Sequence, residues 1–321
     1  MTADLTVTLE DIRQAEARIR AHVRRTPMLA DPLLPGCLMK LEYQQTTGAF
    51  KLRGATNAVL SMTPAQLARG VVTASTGNHG RALAHAARAA GGRAVVCLSH
   101  LVPENKVQAV RDLGAEVRIV GQSQDEAMVE VARAVAEEGL TEVPPFDHPD
   151  VVAGQGTLGL EILAECPAPD AVLIPLSGGG LAAGVAAAVR ALSPKTRIVG
   201  VSMERGAAMA ASLAQGGPVA VQELPTLADS LGGGIGLGNR ITFAMCRALL
   251  DDVVLVGEDE IAAAMRHIHL VTGDRVEGAA AVVVAALLSG RVACGPATVC
   301  ILSGANVAPE TFARVMEGQA A

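Results

Sequence analysis

"GVVTASTGNHGRALAHAARAAGGRAVVCL", residues 70–98, decides the fold. Its first six residues, "GVVTAS", are a short apolar run rich in valine, which reads as a buried strand. "NHGRALAHAARAA" follows with alanines at helical spacing, and Gly91-Gly92 closes it. "RAVVCL" is then a second buried strand. Strand, helix and strand joined this tightly make a βαβ unit, and strands apolar on both faces belong in a parallel sheet.

The alternation continues outward. "PENKVQAVRDL" reads as a helix led by Pro103 and closed by Gly114, "AEVRIV" as a strand, and "QDEAMVEVARAVAEE" as a helix closed by Gly139. After "FDHPDVVAGQGT" it resumes with a helix over about 156–165, the strand "DAVLIPL", the helix "LAAGVAAAVRAL" and the strand "RIVGVSM". "DVVLV" is a further strand, two helices cover about 258–271 and 277–289, and "ATVCIL" is a late strand. Upstream, Thr8 and Asp11 have capping-box spacing, so a helix should run from there to about Val23, ended by Thr26-Pro27. There is no fixed-period repeat and no low-complexity linker. The pattern predicts an α/β chain with two open, mostly parallel sheets flanked by helices. The expected division is a large domain from 1–68 and 147–321 and a small one from 69–146, with a crevice between them.

Bulk properties exclude several function classes. Half of the 321 residues are hydrophobic and 18% are charged, which supports a large core and argues against disorder. The formal net charge is −6 without a basic tract, so nucleic acid is not an expected partner. With no Trp, one Tyr and four Phe, there is no platform for base stacking. None of the six cysteines forms a Cys-x-x-Cys pair, which fits a reducing cytoplasm and gives no zinc motif. The N-terminus lacks a signal-peptide apolar core, and the longest apolar run, Ala279–Leu288, is ten residues, too short to span a bilayer.

Four stretches carry chemistry. In "LIPLSGGGLAAGV" a buried strand runs into Ser177-Gly178-Gly179-Gly180, and a helix follows. Such glycines let backbone N–H groups converge on a phosphate at a helix N-terminus, or simply make a tight turn. The stretch lacks both the Gly-Lys-Ser/Thr ending of a nucleotide triphosphate loop and the spacing of a dinucleotide fold. "TASTGNHGRAL" places Ser75, Thr76, Gly77, Asn78 and His79 at a strand end, either capping the helix or gripping a small carboxylate. "CILSGANVAPE" puts Ser303 at the carboxyl end of a late strand, where ligands of open α/β sheets collect. "LADSLGGGIGLGN" has no clear strand feeding it and no clear helix leaving it, and reads as a loop near the ligand or a structural turn.

"TTGAFKLRGA", residues 46–55, sets Lys51 between Phe50 and Leu52 where a helix begins. "FKLRGA", "GNHG", "GGGL" and "SGAN", in that order, resemble the fold-type II pyridoxal-phosphate enzymes, specifically the threonine dehydratase and serine racemase family. The resemblance extends from Thr26-Pro27 to Asn306. It implies that Lys51 carries the Schiff base to pyridoxal 5'-phosphate, its amine kept available by an apolar setting that lowers its pKa. It further implies Phe50 as a cofactor shelf, Asn78 facing the cofactor's 3′-oxygen, and Ser177, Gly178, Gly179, Gly180 and Leu181 as the phosphate loop. Glu277 would lie near the cofactor, although "EGAA" departs from the commoner Glu-Pro pattern. Ser303 would face the pyridine nitrogen, a neutral partner that suits prompt loss of a β-leaving group. Ser75, Thr76, Gly77 and His79 would grip the substrate carboxylate.

The implied reaction removes water from a β-hydroxy-α-amino acid, with Lys51 as the base, and the family implies a homodimer. In racemases of the family a serine acts as second base; Thr76, bulkier but still with a hydroxyl, occupies that position here, so an amino-acid racemase is an alternative. No regulatory domain is expected after Asn306. No metal is expected either, because the positions that supply oxygen ligands in metal-activated relatives are Ser202 and Ala208 in "VGVSMERGAAM", with Glu204 on the other side of the strand. The segments "VSMERGAAM" and "PTLADSLGGGIGLGNR", with "QTTGAFKLRGATNAVLS", resemble hydroxyectoine-utilisation dehydratases. Since hydroxyectoine's α-nitrogen is locked in a ring, the expected substrate is a ring-opened 3-hydroxy-2,4-diaminobutyrate, with threonine or serine as the alternative. Gly232, Gly233 and Gly234 would make room for the longer side chain.

Overall fold

The computed structural model describes residues 5–75, 77–102 and 104–319, with backbone alone at 105, 124 and 125. Thr76 and Pro103 lie outside the described residues. The strands are β1 (Met28–Ala30), β2 (Cys37–Lys40), β3 (Val71–Ala74), β4 (Ala94–Leu98), β5 (Glu116–Ile119), β6 (Thr141–Glu142), β7 (Ala171–Pro175), β8 (Arg197–Met203), β9 (Asp252–Val256) and β10 (Thr298–Ile301). One sheet has the order β1-β2-β10-β7-β8-β9 and the other β5-β4-β3-β6. Every pairing is parallel except the β1–β2 hairpin.

The helices are α1 (Leu9–Ile19), α2 (Lys51–Leu60), α3 (Pro64–Arg69), α4 (Asn78–Ala89), α5 (Glu104–Arg111), α6 (Gln124–Glu138), α7 (Pro149–Glu165), α8 (Gly180–Leu192), α9 (Ala208–Gln215), α10 (Ile241–Leu249), α11 (Glu258–Thr272), α12 (Gly278–Leu288) and α13 (Pro309–Met316). They cover both faces of each sheet, so β4 and β7 are buried along their whole length. That double cover is why the strands read as continuous apolar runs rather than alternating ones. At α1, the Thr8 side chain accepts the Asp11 N–H and the Asp11 carboxylate accepts the Thr8 N–H, as the spacing predicts.

α7 begins at Pro149, well before residue 156, with the His148 ring accepting the Asp150 N–H. Its glycines look like loop residues in the sequence, yet they permit close helix packing. A Cβ on Gly156 would lie 2.9 Å from the Gly184 carbonyl oxygen, and one on Gly184 would lie 2.3 Å from that of Val152. "LADSLGGGIGLGN" is also corrected, because α10 does leave it. The start of α10 is capped by Asn239 and by Asp147, whose carboxylate accepts N–H bonds from Arg240, Ile241 and Thr242 at 2.9–3.0 Å.

A buried ionic cluster ties α2 to the larger sheet. Arg53, 1% exposed, donates to both Glu42 oxygens at 2.9 and 3.0 Å and to Glu161 at 2.7 Å. Lys40, fully buried on β2, pairs with Glu161 and Glu165 at 3.0 and 3.1 Å and donates to the Thr26 carbonyl.

Gly184→Ala is expected to destabilise the protein by roughly 1–3 kcal/mol, because the new methyl must push α7 from α8. A shift in urea midpoint at constant slope would report it; an unchanged midpoint would show that the helices do not touch here.

Candidate active site

Lys51 is placed from two sides. Upstream, the chain runs along the extension of β10: Phe50 N–H donates to the Ser303 carbonyl at 3.0 Å, Ala305 N–H to that of Gly48 at 2.9 Å, and Ala49 bridges Gly304. Downstream, the Arg53 cluster fixes the first turn of α2, and the Gln155 side chain accepts the Gly54 N–H. The Lys51 ammonium lies 5.3 Å from the centre of the Phe50 ring and donates to the Pro145 carbonyl at 2.7 Å. Burial lowers its pKa to about 8, with Glu277 opposing the shift.

Pro145 belongs to a ribbon that the sequence reading left unassigned. Val143 N–H donates to the Val72 carbonyl, extending β6, and the Val143 carbonyl lies 2.8 Å from Nε2 of His79. Phe146 packs beneath the glycine loop, such that a Cβ on Gly178 would sit 2.2 Å from its ring and one on Gly180 3.1 Å from its Cα. Gly179 opens α8 at φ +86°, a conformation that glycine adopts without strain. The signal available in the sequence was the "VPPFDHPD" run, whose prolines exclude regular structure between two elements.

On the other side, Asn78 opens α4 and donates to Glu277, the residue preceding α12, at 2.9 and 3.2 Å. Asn306 donates to Asn78 Oδ1 at 2.5 Å and to the Thr47 carbonyl at 3.0 Å, and accepts from Arg81 at 2.8 Å. Neither Asn306 nor Arg81 was singled out from the sequence. Burial raises the Glu277 pKa to about 7, against the Asn78 hydrogen bond. Asp229 and Ser230 act on the same carboxyl, so the start of the second glycine cluster borders it.

His79 is 2% exposed and its side chain is turned to Val143; burial and Lys51 press its pKa down to about 3, so it stays neutral. Gly77 stands at the head of α4, and a Cβ there would meet no atom within 4 Å. Ser303 is buried just past the end of β10, and its carbonyl accepts the Phe50 N–H. Around the Ser202 and Ala208 positions, Glu204 pairs with Arg291 at 3.0 Å, and among the described residues no His, Cys, Asp or Glu group is arranged for a metal ion.

The amine makes a pH prediction. The Lys51 pKa is about 8 in the fold against 10.5 ordinarily. Below about pH 8 both states hold the proton and the desolvation cost is borne in full; between the two values the unfolded chain binds more protons, so stability rises with pH. In ligand-free protein, Lys51→Met is therefore expected to exceed wild type in stability at neutral pH, with the gap closing as pH rises through that window. Urea melts at several pH values measure it, and a gap that widens with pH would refute the lowered pKa.

Comparison with known proteins gives the same picture. A 58% identical protein of Sinorhizobium fredii, provisionally named threonine dehydratase, aligns over 97% of this chain and 96% of its own length. The L-threonine ammonia-lyase of Geobacter sulfurreducens is 42% identical over 95% of this chain and 77% of its own. The maize serine racemase structure superposes with a TM-score of 0.90 at 31% identity, covering 97% of each chain. The family model for pyridoxal-phosphate dependent enzymes matches residues 19–304, and with Lys51, the glycine loop and Ser303 all inside that span, the chain belongs to this family and uses pyridoxal phosphate as its cofactor.

Proposed function

We propose that this enzyme removes water from a β-hydroxy-α-amino acid to give a 2-oxo acid and ammonia. The observation that carries the reading is the Lys51 amine, lowered to a pKa of about 8 by burial and held by a carbonyl oxygen rather than a carboxylate. An amine so held gives up its proton far more readily than an ordinary lysine and can serve as a nucleophile and then as a base.

The residues present fit the cofactor. Lys51 would anchor it, with Phe50 beside the amine. The loop Ser177–Gly180 and Leu181 would hold its phosphate, because the N–H groups that open α8 carry partial positive charge at the end of a buried strand. Asn78 and Glu277 would lie along one edge. Ser303, buried just past the end of β10, would meet the ring nitrogen with its hydroxyl. Ser75, Gly77 and His79 would receive the substrate carboxylate through backbone groups, since the His79 ring is engaged with Val143. Thr76 belongs to that loop by sequence.

When bound, pyridoxal phosphate supplies the electron-withdrawing ring that makes a Cα proton acidic. Lys51 Nζ would take that proton, and as the Cβ–O bond breaks the hydroxyl would gain one in turn and leave as water, so that the proton lost from Cα is returned overall in the departing water. The released enamine tautomerises, and water hydrolyses it to the 2-oxo acid and ammonia. A neutral Ser303 favours prompt loss of the β-group over the long-lived carbanion that racemisation needs, so elimination is preferred to racemisation. The homodimer implied by the resemblance and the cytoplasmic setting that the cysteine usage fits belong to this proposal; among the described residues no helix is long and apolar enough to cross a membrane.

The names of the relatives favour threonine as substrate. The hydroxyectoine reading draws nothing from those names. It rests on the segments 201–209 and 225–240, with the one around Lys51; the second lies beside Glu277 through Asp229 and Ser230.

Purified enzyme offered threonine, serine, intact hydroxyectoine and ring-opened 3-hydroxy-2,4-diaminobutyrates is expected to release ammonia from at least one free-amine substrate and none from the intact ring. Lys51→Ala should abolish release while keeping the fold. Turnover of threonine alone would settle the substrate against the diaminobutyrates. Chiral chromatography showing inversion without ammonia would overturn the elimination.

A further inference from the structure

We propose that Arg81 and Asn306 are positioning residues that hold the Asn78 amide one way round, so that one of its N–H bonds faces the cofactor oxygen while the other is held by Glu277. This rests on the reading above that Asn78 lies along the cofactor's edge.

The argument uses hydrogen-bond roles that chemistry fixes. A guanidinium only donates, so the atom of Asn306 that faces Arg81 at 2.8 Å is its oxygen. A backbone carbonyl only accepts, so the atom facing Thr47 at 3.0 Å is the Asn306 nitrogen. Both ends of Asn306 are thereby set, and it presents an N–H to Asn78. Asn78 must answer with Oδ1, at 2.5 Å, which turns its nitrogen toward the Glu277 carboxylate at 2.9 and 3.2 Å. A carboxylate accepts, so the far end agrees with the near one. The Asn306 N–H also donates to Glu277, at 3.2 Å, closing the ring of contacts.

The relay spans the crevice. Asn78 and Arg81 lie on α4, which packs on the smaller sheet, while Thr47, Glu277 and Asn306 belong to segments packed on the larger one. Space is matched as closely as polarity, for a Cβ on Gly48 would sit 2.8 Å from Asn306 Oδ1. With the relay broken, the Asn78 amide can turn over and set its oxygen against the cofactor oxygen, two acceptors facing each other.

Asn306→Asp is the informative variant, since it keeps shape and the Arg81 contact but cannot donate to Asn78 or Thr47. Arg81→Met removes the other determinant, and Arg81→Lys restores a donor. The readouts are the dissociation constant for pyridoxal phosphate, the pH midpoint of the bound cofactor's visible absorbance, and the melting temperature of the cofactor-free protein. Asn306→Asp and Arg81→Met are expected to weaken cofactor binding roughly tenfold, the loss of one buried hydrogen bond, and to shift the absorbance midpoint. Arg81→Lys should stay within about twofold of wild type, and the double variant should be no worse than Asn306→Asp, because the two act in series. Unchanged midpoints, additive losses, or effects matched by an equal fall in cofactor-free stability would overturn the proposal. Asn78→Ala separates the two readings: if it leaves absorbance and affinity untouched, the placement of Asn78 beside the cofactor fails, and the relay with it.

Discussion

The fork between Arg53 and Glu42 is the constraint on which the site depends. A guanidinium and a carboxylate buried together cost several kcal/mol in lost hydration, a cost offset only when every donor and lone pair is met. Here the requirement is met by Glu42, Glu161, Thr157 and the Arg24 carbonyl, contributed by separate parts of the chain. Arg53 therefore tolerates one placement, and Lys51, two residues earlier on the same helical turn, inherits it. The extension of β10 fixes the approach to the lysine from the other side. A flexible four-carbon side chain gains a defined base through anchors that are themselves chemically inert.

That rigidity has an electrostatic counterpart. Burial lowers Lys51 to about 8 and His79 to about 3 and raises Glu277 to about 7, so each is drawn toward its neutral form. A site that moves protons to and from an amine needs groups that change charge without a large reorganisation of water. Buried amides and backbone carbonyls supply the fixed polarity around them.

What the sequence made legible was whatever is local. The strand–helix alternation, the capping box at Thr8 and the glycine loop after β7 each depend on neighbours in the chain, and each stands where the pattern put it. The misreadings share one cause. The glycines of α7 look like a loop until α8 is laid against them, and α10 shows no start in its own sequence because its cap, Asp147, comes from far upstream. Asn306 shows as part of a motif, but its contacts with Arg81 and Thr47 are with residues more than two hundred positions away in the chain. Phe146 explains two glycines of the loop after β7, Gly178 and Gly180, through crowding by the protein itself, a reason no count of glycines could reveal.

The strand order has a consequence for synthesis on the ribosome. β10, near the end of the chain, lies between β2 and β7 in the larger sheet. The smaller sheet, contained within residues 71–142, has all its strands once that stretch has emerged. The larger one stays split, with β2 on one side and β7 to β9 on the other, until residues 298–301 emerge to join them. Because the Phe50 N–H is held by the Ser303 carbonyl, Lys51 beside it gains its place only at that last step. A nascent chain can thus display the lysine motif and the glycine loop before the structure that positions them exists, and that structure is completed with β10.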